Sequence, residues 1–356
     1  MYSTLSDPQV TDPQVTIVVV PRERFSFTRQ SLESIYQYTD LPFKLVYVDG
    51  GSPRPVQDYL QTQARERGFE LIRQDRYLSP NYARNLGLRY VDTKYVVFID
   101  NDVEVTPGWL SPLVTCAEET GASVISPLLL IGKLEEQIIH SAGGEAHVKV
   151  NQQAERSSRK FHEKMYGCNK PVATMQQHLH RQETELAEFH CMFIRTAIFE
   201  QVGCFDEGLL NTREHLDFCM LVRQAGGTVY LEPASVITYV PGPPLEWTDI
   251  LFYMLRWSDA WAIASMRHFY SKWNLDKDET KLAKSTVEFR RKWTLLNPLI
   301  HRLTFGQDYP LVKKVVYRLD KLLNRYLTDR YARKYSSSSP HGIAPSQAQT
   351  TTLAEV

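Results

Sequence analysis

Val15–Val20 reads VTIVVV, an unbroken run of apolar and β-branched residues that ends at Pro21. Such a run is typical of a strand buried on both faces within a parallel sheet. Helices and strands are predicted to alternate after it. The predicted strands are residues 43–48, 69–72, 95–99 and 122–126, and the predicted helices are residues 26–38, 56–67, 81–89 and 109–120. Further along the chain, a helix is predicted at residues 214–224 and short strands at 228–231 and 236–239. This alternation predicts an α/β fold with a mostly parallel, doubly wound sheet.

The composition excludes several classes of protein. The chain has 356 residues, 41 basic and 41 acidic side chains, and therefore no net charge. A hydrophobic content of 43% argues against a disordered chain. A neutral chain offers no general attraction to nucleic acid, so we expect no nucleic-acid partner. Five cysteines without a CxxC pair are typical of reduced thiols. Since residues 1–14 lack an apolar run and no stretch approaches ~18 uninterrupted apolar residues, we expect neither a signal peptide nor a membrane span, and a cytoplasmic location.

The pattern changes twice along the chain. Between residues 133 and 185 the periodicity is lost and polar residues dominate, which suggests a long, partly mobile insertion that acts as a lid. Aromatic helices are expected after residue 246, and the final residues are of low complexity. The predicted units are a flexible N-terminus (1–14), an α/β domain (15–245) containing an insertion (128–187), a helical C-terminal extension (246–335) and a disordered tail (336–356).

Two carboxylates follow the apolar strand at residues 95–99, at Asp100 and Asp102. Carboxylate oxygens are preferred ligands of Mg²⁺ and Mn²⁺, which also bind phosphate oxygens. A purely structural interpretation is that Asp and Asn suit the turn at the end of a strand. Polar residues also follow the first two strands, and in a parallel sheet these ends converge on one crevice. We therefore expect a ligand site at this edge of the sheet.

Several segments in order resemble family-2 glycosyltransferases of the GT-A fold. They are VTIVVVP, FKLVYVDGGS, SPNYARNLGLRYVDTKYVVFIDNDVEV, IHSAGG and CMFIRTAIFEQVGCFDEGLLNTREHLDFCMLVRQAGGTVYLEPASVITY. The resemblance covers residues 15–240 and implies a nucleotide-binding half (15–127) and an acceptor half (188–245). It also implies hexosyl transfer, with inversion, from a nucleotide-diphosphate sugar to a hydroxyl of a saccharide or lipid-linked acceptor, as in polysaccharide biosynthesis.

The resemblance also implies roles for individual residues. Those matched to nucleotide-sugar contacts are Pro21, Arg22, Glu23, Asp49, Arg84, Asp100 and His190. Asp102 matches the direct metal ligand, with Asp100 beside it, so a divalent cation (Mn²⁺ or Mg²⁺) is expected. Arg84 and His190 also suit ordinary surface or loop positions.

Three positions depart from the family pattern. Gly50 follows Asp49 where a second polar residue is common. Glu214-His215-Leu216-Asp217 stands where the family has EDxDL, so the general base is Glu214 or His215, with Asp217 also a catalytic candidate. Tyr239 replaces a histidine that completes the metal site, and a tyrosine with an ordinary pKa of ~10 is a poor ligand for these ions. Metal dependence is therefore in doubt.

Alternatives stay open. Because of the departures, the chain could be a catalytically degenerate relative that binds a nucleotide sugar or a partner. A nucleotidyltransferase would need a Gly-rich phosphate loop after the first strand, which PRERF (residues 21–25) does not supply. Residues 311–335 form an amphipathic helix with a basic flank. It either packs on the domain with its basic face in solvent or makes peripheral contact with an anionic membrane.

Overall fold

The computed structural model describes residues 13–153, 156–240, 245–276 and 280–335. Most of the predicted flexible N-terminus and all of the predicted disordered tail lie outside these ranges. The strands are β1 (Val15–Val20), β2 (Phe43–Gly50), β3 (Glu70–Gln74), β4 (Tyr95–Asp100), β5 (Val103–Val105), β6 (Val124–Ile131), β7 (Ile138–Ser141), β8 (Gly144–Gln153), β9 (Arg156–Met165), β10 (Gln182–Thr184), β11 (Cys191–Arg195) and β12 (Val229–Tyr239). The helices are α1 (Thr28–Tyr38), α2 (Arg54–Arg67), α3 (Pro80–Leu88), α4 (Leu110–Thr120), α5 (Val172–Met175), α6 (Phe199–Val202), α7 (Glu214–Gln224), α8 (Ile250–Arg256), α9 (Asp259–Lys272), α10 (Thr280–Arg291), α11 (Asn297–Leu303) and α12 (Pro310–Tyr335).

The central sheet runs in the order β10-β12-β6-β11-β4-β1-β2-β3. Strand β1 lies between β2 and β4 and pairs with both in parallel. Strands β3, β6 and β12 share this direction, whereas β10 and β11 run antiparallel to their neighbours. The predicted α/β fold with a mostly parallel sheet is therefore confirmed.

Both faces of β1 are buried, which explains its continuous apolar sequence. Val15, Ile17 and Val19 pack into one core with residues of α1 and α4. Val18 and Val20 pack on the opposite face with residues of α3 and α7. Since helices cover both faces, the carboxyl ends of the parallel strands are left as the open edge of the sheet, and they position the site described below.

The segment without periodicity is more regular than its sequence suggests. Strands β8 and β9 form a ten-residue antiparallel hairpin in a sheet of their own. The sequence of β9, RSSRKFHEKM, is largely polar on both faces, but that of β8, GEAHVKVNQQ, alternates small or apolar residues with polar ones from Gly144 to Val150, a strand signal that the sequence analysis missed. The two short strands predicted at 228–231 and 236–239 are one strand, β12, interrupted by a bulge between Glu232 and Val236.

The C-terminal helices pack against the loop that follows β1. Asp249, just before α8, accepts hydrogen bonds from the backbone N–H of Phe25 (2.7 Å) and the hydroxyl of Ser26 (2.5 Å). Phe25 also stacks on Phe252, with ring centroids 4.8 Å apart. The helical region therefore fixes the conformation of a loop at the strand ends. Within the described ranges, no helix combines the length and apolarity needed to cross a membrane.

Helix α12 buries its polar face. Its buried residues are Asp320, Asn324 and Thr328, spaced four residues apart on one side. Asp320 accepts hydrogen bonds from the fully buried Arg291 of α10, and Asn324 donates to the carbonyl of Met254. Helix α12 therefore packs on the domain with most of its basic residues exposed, as one of the two interpretations predicts, but polar residues rather than the apolar ones make the packing.

Candidate functional site

The ends of β1, β4 and β11 meet at one point. Asp100, the last residue of β4, donates its backbone N–H to the carbonyl of His190, just before β11 (3.2 Å). The side chain of Asn101 joins these ends to the loop after β1: it accepts from the N–H of Arg22 (3.1 Å) and donates to the carbonyl of Arg24 (2.7 Å). Strand pairing thus brings together residues that are far apart in the sequence.

Three side chains here could ligate a cation. One ligand atom each from Asp100, Asp102 and His190 lies within 4.8 Å of the others, and all three residues are buried. Burial raises the pKa of Asp100 to about 6 and that of Asp102 to about 7. Burial, followed by the charge of Arg22, lowers the pKa of His190 well below its ordinary value, so the imidazole is neutral and retains a lone pair. Among the described residues, neither Oδ1 of Asp102 nor Nδ1 of His190 has a hydrogen-bond partner. These donor atoms suit a divalent cation.

A guanidinium group already lies against these carboxylates. Nε of Arg22 is 3.3 Å from Asp100, and Nη1 is 3.4 Å from Asp102 and 3.6 Å from Glu23. The guanidinium carbon also lies 4.3 Å from the centre of the Tyr239 ring. Burial alone would lower the pKa of Arg22, but Tyr239 and the three carboxylates raise it, so the side chain stays charged. Arg22 therefore compensates the negative charge at the strand ends.

A hydrogen bond joins Glu23 and Tyr239. The Tyr239 hydroxyl donates to Oε1 of Glu23 (2.9 Å), and the indole N–H of Trp257 donates to Oε2 (2.9 Å). The Tyr239 ring also stacks on His190, with centroids 4.4 Å apart. Burial tends to raise the pKa of Glu23, but Arg22 and other nearby groups lower it to about 2. Tyr239 thus occupies the position of the expected metal-binding histidine, while the neighbouring imidazole belongs to His190.

The predicted nucleotide contacts lie in two groups. Arg84 is buried, donates to Asn81 (3.1 Å) and Asp100 (3.5 Å), and lies 3.7 Å from the centre of the Phe189 ring. Asp49 is buried at the end of β2, where it accepts hydrogen bonds from Ser52 and Arg73. Arg84 therefore faces the carboxylates, whereas Asp49 lies on β2, two strands from Asp100 of β4. Pro21 follows β1 and lies beside Gly50.

A cavity of about 230 Å³ opens next to this cluster. Its lining includes Arg22, Arg84, Asp100, His190, Glu188, Glu214 and His215. Glu214 and His215 begin α7, where Arg256 lies 3.4 Å from Glu214, and Nε2 of His215 lies 3.4 Å from Glu188. Burial would raise the pKa of Glu188, but its neighbours, first the His215 imidazole and then His140 and Arg22, lower it. The candidate bases therefore face the same space as Asp100 and His190, whereas the fully buried Asp102 lies behind the lining.

The residue before α7 has an unusual backbone. Arg213 has φ = 70°, a left-handed conformation that few residues without a special role adopt. Its guanidinium pairs with Glu163 of β9 and lies 5.0 Å from the Phe161 ring centre. The hairpin thus helps to fix the orientation in which α7 presents Glu214 and His215.

The structure does not bring Asp217 to the cavity. Its carboxylate accepts from the indole N–H of Trp273 and from Nζ of Lys272, both at 2.8 Å. Burial raises its pKa. Asp217 therefore joins α7 to the end of α9 and is not part of the cavity lining.

Sequence reasoning did not assign Arg256, Arg290 and His140, which also line the cavity. The guanidinium carbons of Arg256 and Arg290 lie 4.8 and 4.2 Å from the ring centre of Trp257. The available signal was a charged residue at the end of the apolar sequence ILFYMLR of α8. Nothing in the sequence indicated that α8 and α10 would fold back over the strand ends.

Buried polar atoms without hydrogen bonds concentrate at this cavity. Over the described part of the chain, there are eleven such atoms, and six belong to residues of the lining. The six atoms are Nε of Arg84, Nδ1 of His190, Nε of Arg213, Nε2 of His215, and Nε and Nη1 of Arg256. Leaving such groups unpaired costs about 1–3 kcal/mol each. The arrangement therefore suits a polar ligand with negatively charged oxygens.

Comparisons with known proteins find similarity to glycosyltransferases. The pre-mycofactocin glycosyltransferase of Mycobacterium tuberculosis is 25% identical over 227 residues, covering 63% of this chain and 42% of that protein. An uncharacterized glycosyltransferase of Rickettsia bellii is 25% identical over 91 residues, covering 26% of this chain and 13% of that protein. The chain thus spans less than half the length of these curated relatives. A solved structure of GalNAc-T7 with UDP, GalNAc and Mn²⁺ superposes with a TM-score of 0.48 and 15% identity, over 92% of this chain and 58% of that one.

The family assignment rests on more than half of the chain. The sequence model of glycosyl transferase family 2 matches residues 16–202, which include β1, the Asp100–Asp102 segment and β11. The resemblance found in the motifs is thereby confirmed, and the chain belongs to glycosyl transferase family 2.

Proposed function

We propose that this chain transfers a hexosyl group from a nucleoside-diphosphate sugar to a hydroxyl of a saccharide or lipid-linked acceptor, with inversion at the anomeric carbon. The observation that carries the proposal is the cavity in which unpaired guanidinium groups, a carboxylate cluster and two candidate bases face one another. A cytoplasmic location and a place in polysaccharide biosynthesis stay predictions from the sequence.

The residues suggest the following division of roles. Arg84 and Arg256 would bind the diphosphate, because both have buried N–H groups without acceptors. The acceptor oxygen attacks the anomeric carbon on the face opposite the diphosphate. A new C–O bond forms as the bond to the phosphate oxygen breaks, and its electrons leave with the diphosphate. Glu214 or His215 takes the acceptor proton, since an alcohol is a poor nucleophile until it loses that proton.

A divalent cation fits the donor atoms of Asp102, Asp100 and His190. When bound, such an ion would neutralise charge on the departing diphosphate. The imidazole of His190 offers a third ligand, so the replacement of the family's histidine by Tyr239 does not by itself exclude a metal. Mn²⁺ and Mg²⁺ are both suitable ions.

A second candidate function is binding of a nucleotide sugar without turnover. The contacts of Arg22 with Asp100 and Asp102 favour this alternative, because the guanidinium lies where a cation would otherwise compensate these carboxylates. The two proposals differ in one measurable property, the release of nucleoside diphosphate.

The experiment begins with a thermal-shift panel of nucleotide sugars, with and without Mn²⁺, because a ligand of the native state raises the melting temperature. Transfer or hydrolysis is then measured for Asp102→Asn, Glu214→Gln and His215→Asn. We expect Asp102→Asn and the Glu214/His215 double variant to lose ~100-fold or more in kcat. Asp217→Asn is the control, since Asp217 lies outside the cavity and should mainly affect stability. Normal turnover in both site variants would refute the transferase assignment, and donor binding without turnover in the native chain would favour the second candidate.

A further inference from the structure

Helix α12 presents a hydrophobic stripe to solvent. The stripe consists of Leu311, Val315, Leu319, Leu322, Leu323 and Tyr326. The side chain of Leu311 is 74% exposed and that of Leu322 is 67% exposed. Steps of four, seven and four residues relate Leu311, Val315, Leu322 and Tyr326, which places them along one side of the helix. A continuous exposed apolar surface of this kind typically marks an interaction site.

Packing fixes this orientation. The opposite side of α12 contains Asp320, Asn324 and Thr328, and Asp320 is bonded to the fully buried Arg291. A rotation of α12 that turned the stripe inward would expose Asp320. Arg291 would then be buried without a counter-charge, which would cost several kcal/mol. The stripe therefore cannot reach the core by rotation of the helix.

A basic row runs beside the stripe. Lys314, Arg318, Lys321 and Arg325 are all exposed, and they lie between the stripe and the buried side of α12. Lys321 is 3.2 Å from Glu288 and Arg325 is 4.0 Å from Asp329, so part of the row is paired. Residues 280–335 still contain 14 basic and 4 acidic side chains, whereas the whole chain is neutral. The excess positive charge is thus concentrated in the helices that expose apolar side chains.

The neighbouring helix continues the pattern. Phe289 and Trp293 are 63% and 69% exposed, and their rings stack with centroids 6.2 Å apart. Their helix is joined to α12 by the contacts of Arg291 with Asp320 and of Lys321 with Glu288. Aromatic rings of this kind are suited to the boundary between lipid headgroups and acyl chains.

We infer that α12 lies on an anionic lipid surface, with the hydrophobic stripe inserted among the acyl chains and the basic row at the headgroups. The charge distinguishes this occupant from a second copy of the chain. In a two-fold symmetric dimer, the two basic rows would approach each other and repel, whereas phosphate headgroups complement them. The inference concerns α12 alone and does not depend on the proposed sugar transfer.

The test is co-sedimentation of the full chain with two kinds of vesicle, one of phosphatidylcholine alone and one containing about a third phosphatidylglycerol. We expect binding to the anionic vesicles that weakens as salt rises. The double variant Leu311→Gln/Leu322→Gln should lower the partition coefficient ~10-fold or more. The reason is that burial of each leucine side chain raises the partition coefficient by a factor of about ten. Lys314→Gln/Arg318→Gln should remove the preference for phosphatidylglycerol. Leu134→Gln, which changes an exposed leucine outside α12, should bind as the native chain does.

Three results would overturn the inference: no sedimentation with either vesicle, undiminished binding by the leucine double variant, or a dimer by light scattering that this variant dissociates. Circular dichroism checks that each variant is folded. Donor binding measured without vesicles should be the same in the leucine variant and the native chain. A failure of lipid binding is therefore distinguishable from a failure of the proposed transferase function.

Discussion

Arg22 is the most informative residue to change, because one guanidinium compensates three buried carboxylates. Its nitrogens lie 3.3 Å from Asp100, 3.4 Å from Asp102 and 3.6 Å from Glu23. At an effective dielectric constant near 20, a pair of unit charges at this separation attracts by about 4–5 kcal/mol before desolvation is counted. Removing one partner of a buried ion pair typically costs about 3–5 kcal/mol net. We expect Arg22→Met to destabilise the protein by that amount in the presence of a chelator.

Thermal unfolding measures the loss. For a chain of 356 residues, about 3–5 kcal/mol corresponds to a fall in Tm of roughly 4–8 °C. Adding Mn²⁺ should then stabilise the variant more than the native chain, because the cation takes over the compensation that Arg22 provided. At a hundred times its Kd, a ligand contributes about 2.7 kcal/mol. The difference between the two Mn²⁺-induced shifts is the quantity of interest.

Arg73→Met is the matched control. Arg73 also pairs with a carboxylate at a strand end, but its partner is Asp49, outside the Asp100, Asp102 and His190 group. We expect this variant to lose stability without any gain in response to Mn²⁺. If Arg22→Met melts at the native temperature in chelator, or if Mn²⁺ shifts all three proteins equally, the charge-compensation argument is wrong.

Three further changes test other parts of the structure. Arg291→Met should destabilise by about 3–5 kcal/mol in urea unfolding, because it leaves Asp320 buried without its partner; an unchanged midpoint would contradict this. Gly87→Ala should cost at least ~1–3 kcal/mol, since its Cβ would lie 2.3 Å from a valine of β1; native-like stability would show that the helix can shift. Asp206 raises the pKa of His268, so this pair stabilises the native state below about pH 6.5 and loses that effect as pH rises through the folded-state pKa. His268→Gln should flatten the stability profile between about pH 6 and 8, by well under ~1 kcal/mol because the imidazole is partly exposed, and an unaltered profile would exclude this linkage.

The parts of the fold with strong periodicity were predictable. The strand at residues 15–20 and helix α7 have the bounds that the sequence predicts, because one is apolar throughout and the other has clear ends. The proximity of Arg22 and Asp100 was also predictable, since they lie at the carboxyl ends of the neighbouring parallel strands β1 and β4, which meet at one edge. Both predictions depend only on local pattern and on the general topology of parallel sheets.

The rest of the site depends on contacts that leave no local signal. The hairpin of β8 and β9 escaped prediction because β9 is largely polar on both faces and the alternation in β8 is short. Arg256 and Arg290 reach the cavity only because α8 and α10 fold back over the strand ends. The sequence places Arg22 near the nucleotide, but its position against Asp102 follows from the conformation of a loop fixed by Asp249.

Helix α12 shows why periodicity alone does not determine which side of a helix faces the core. Its apolar residues repeat with a helical period, and the usual inference is that this side is buried. Asp320, Asn324 and Thr328 repeat with the same period and are the buried side. The decisive contact is made by Arg291, whose burial requires a carboxylate, and no apolar packing of α12 could supply one. A periodic pattern therefore shows which residues share a side of a helix, but whether that side is buried depends on residues elsewhere in the chain. For α12, those partners turn the leucines outward, and the aqueous exposure of the stripe is the reason to look for a lipid surface that covers it.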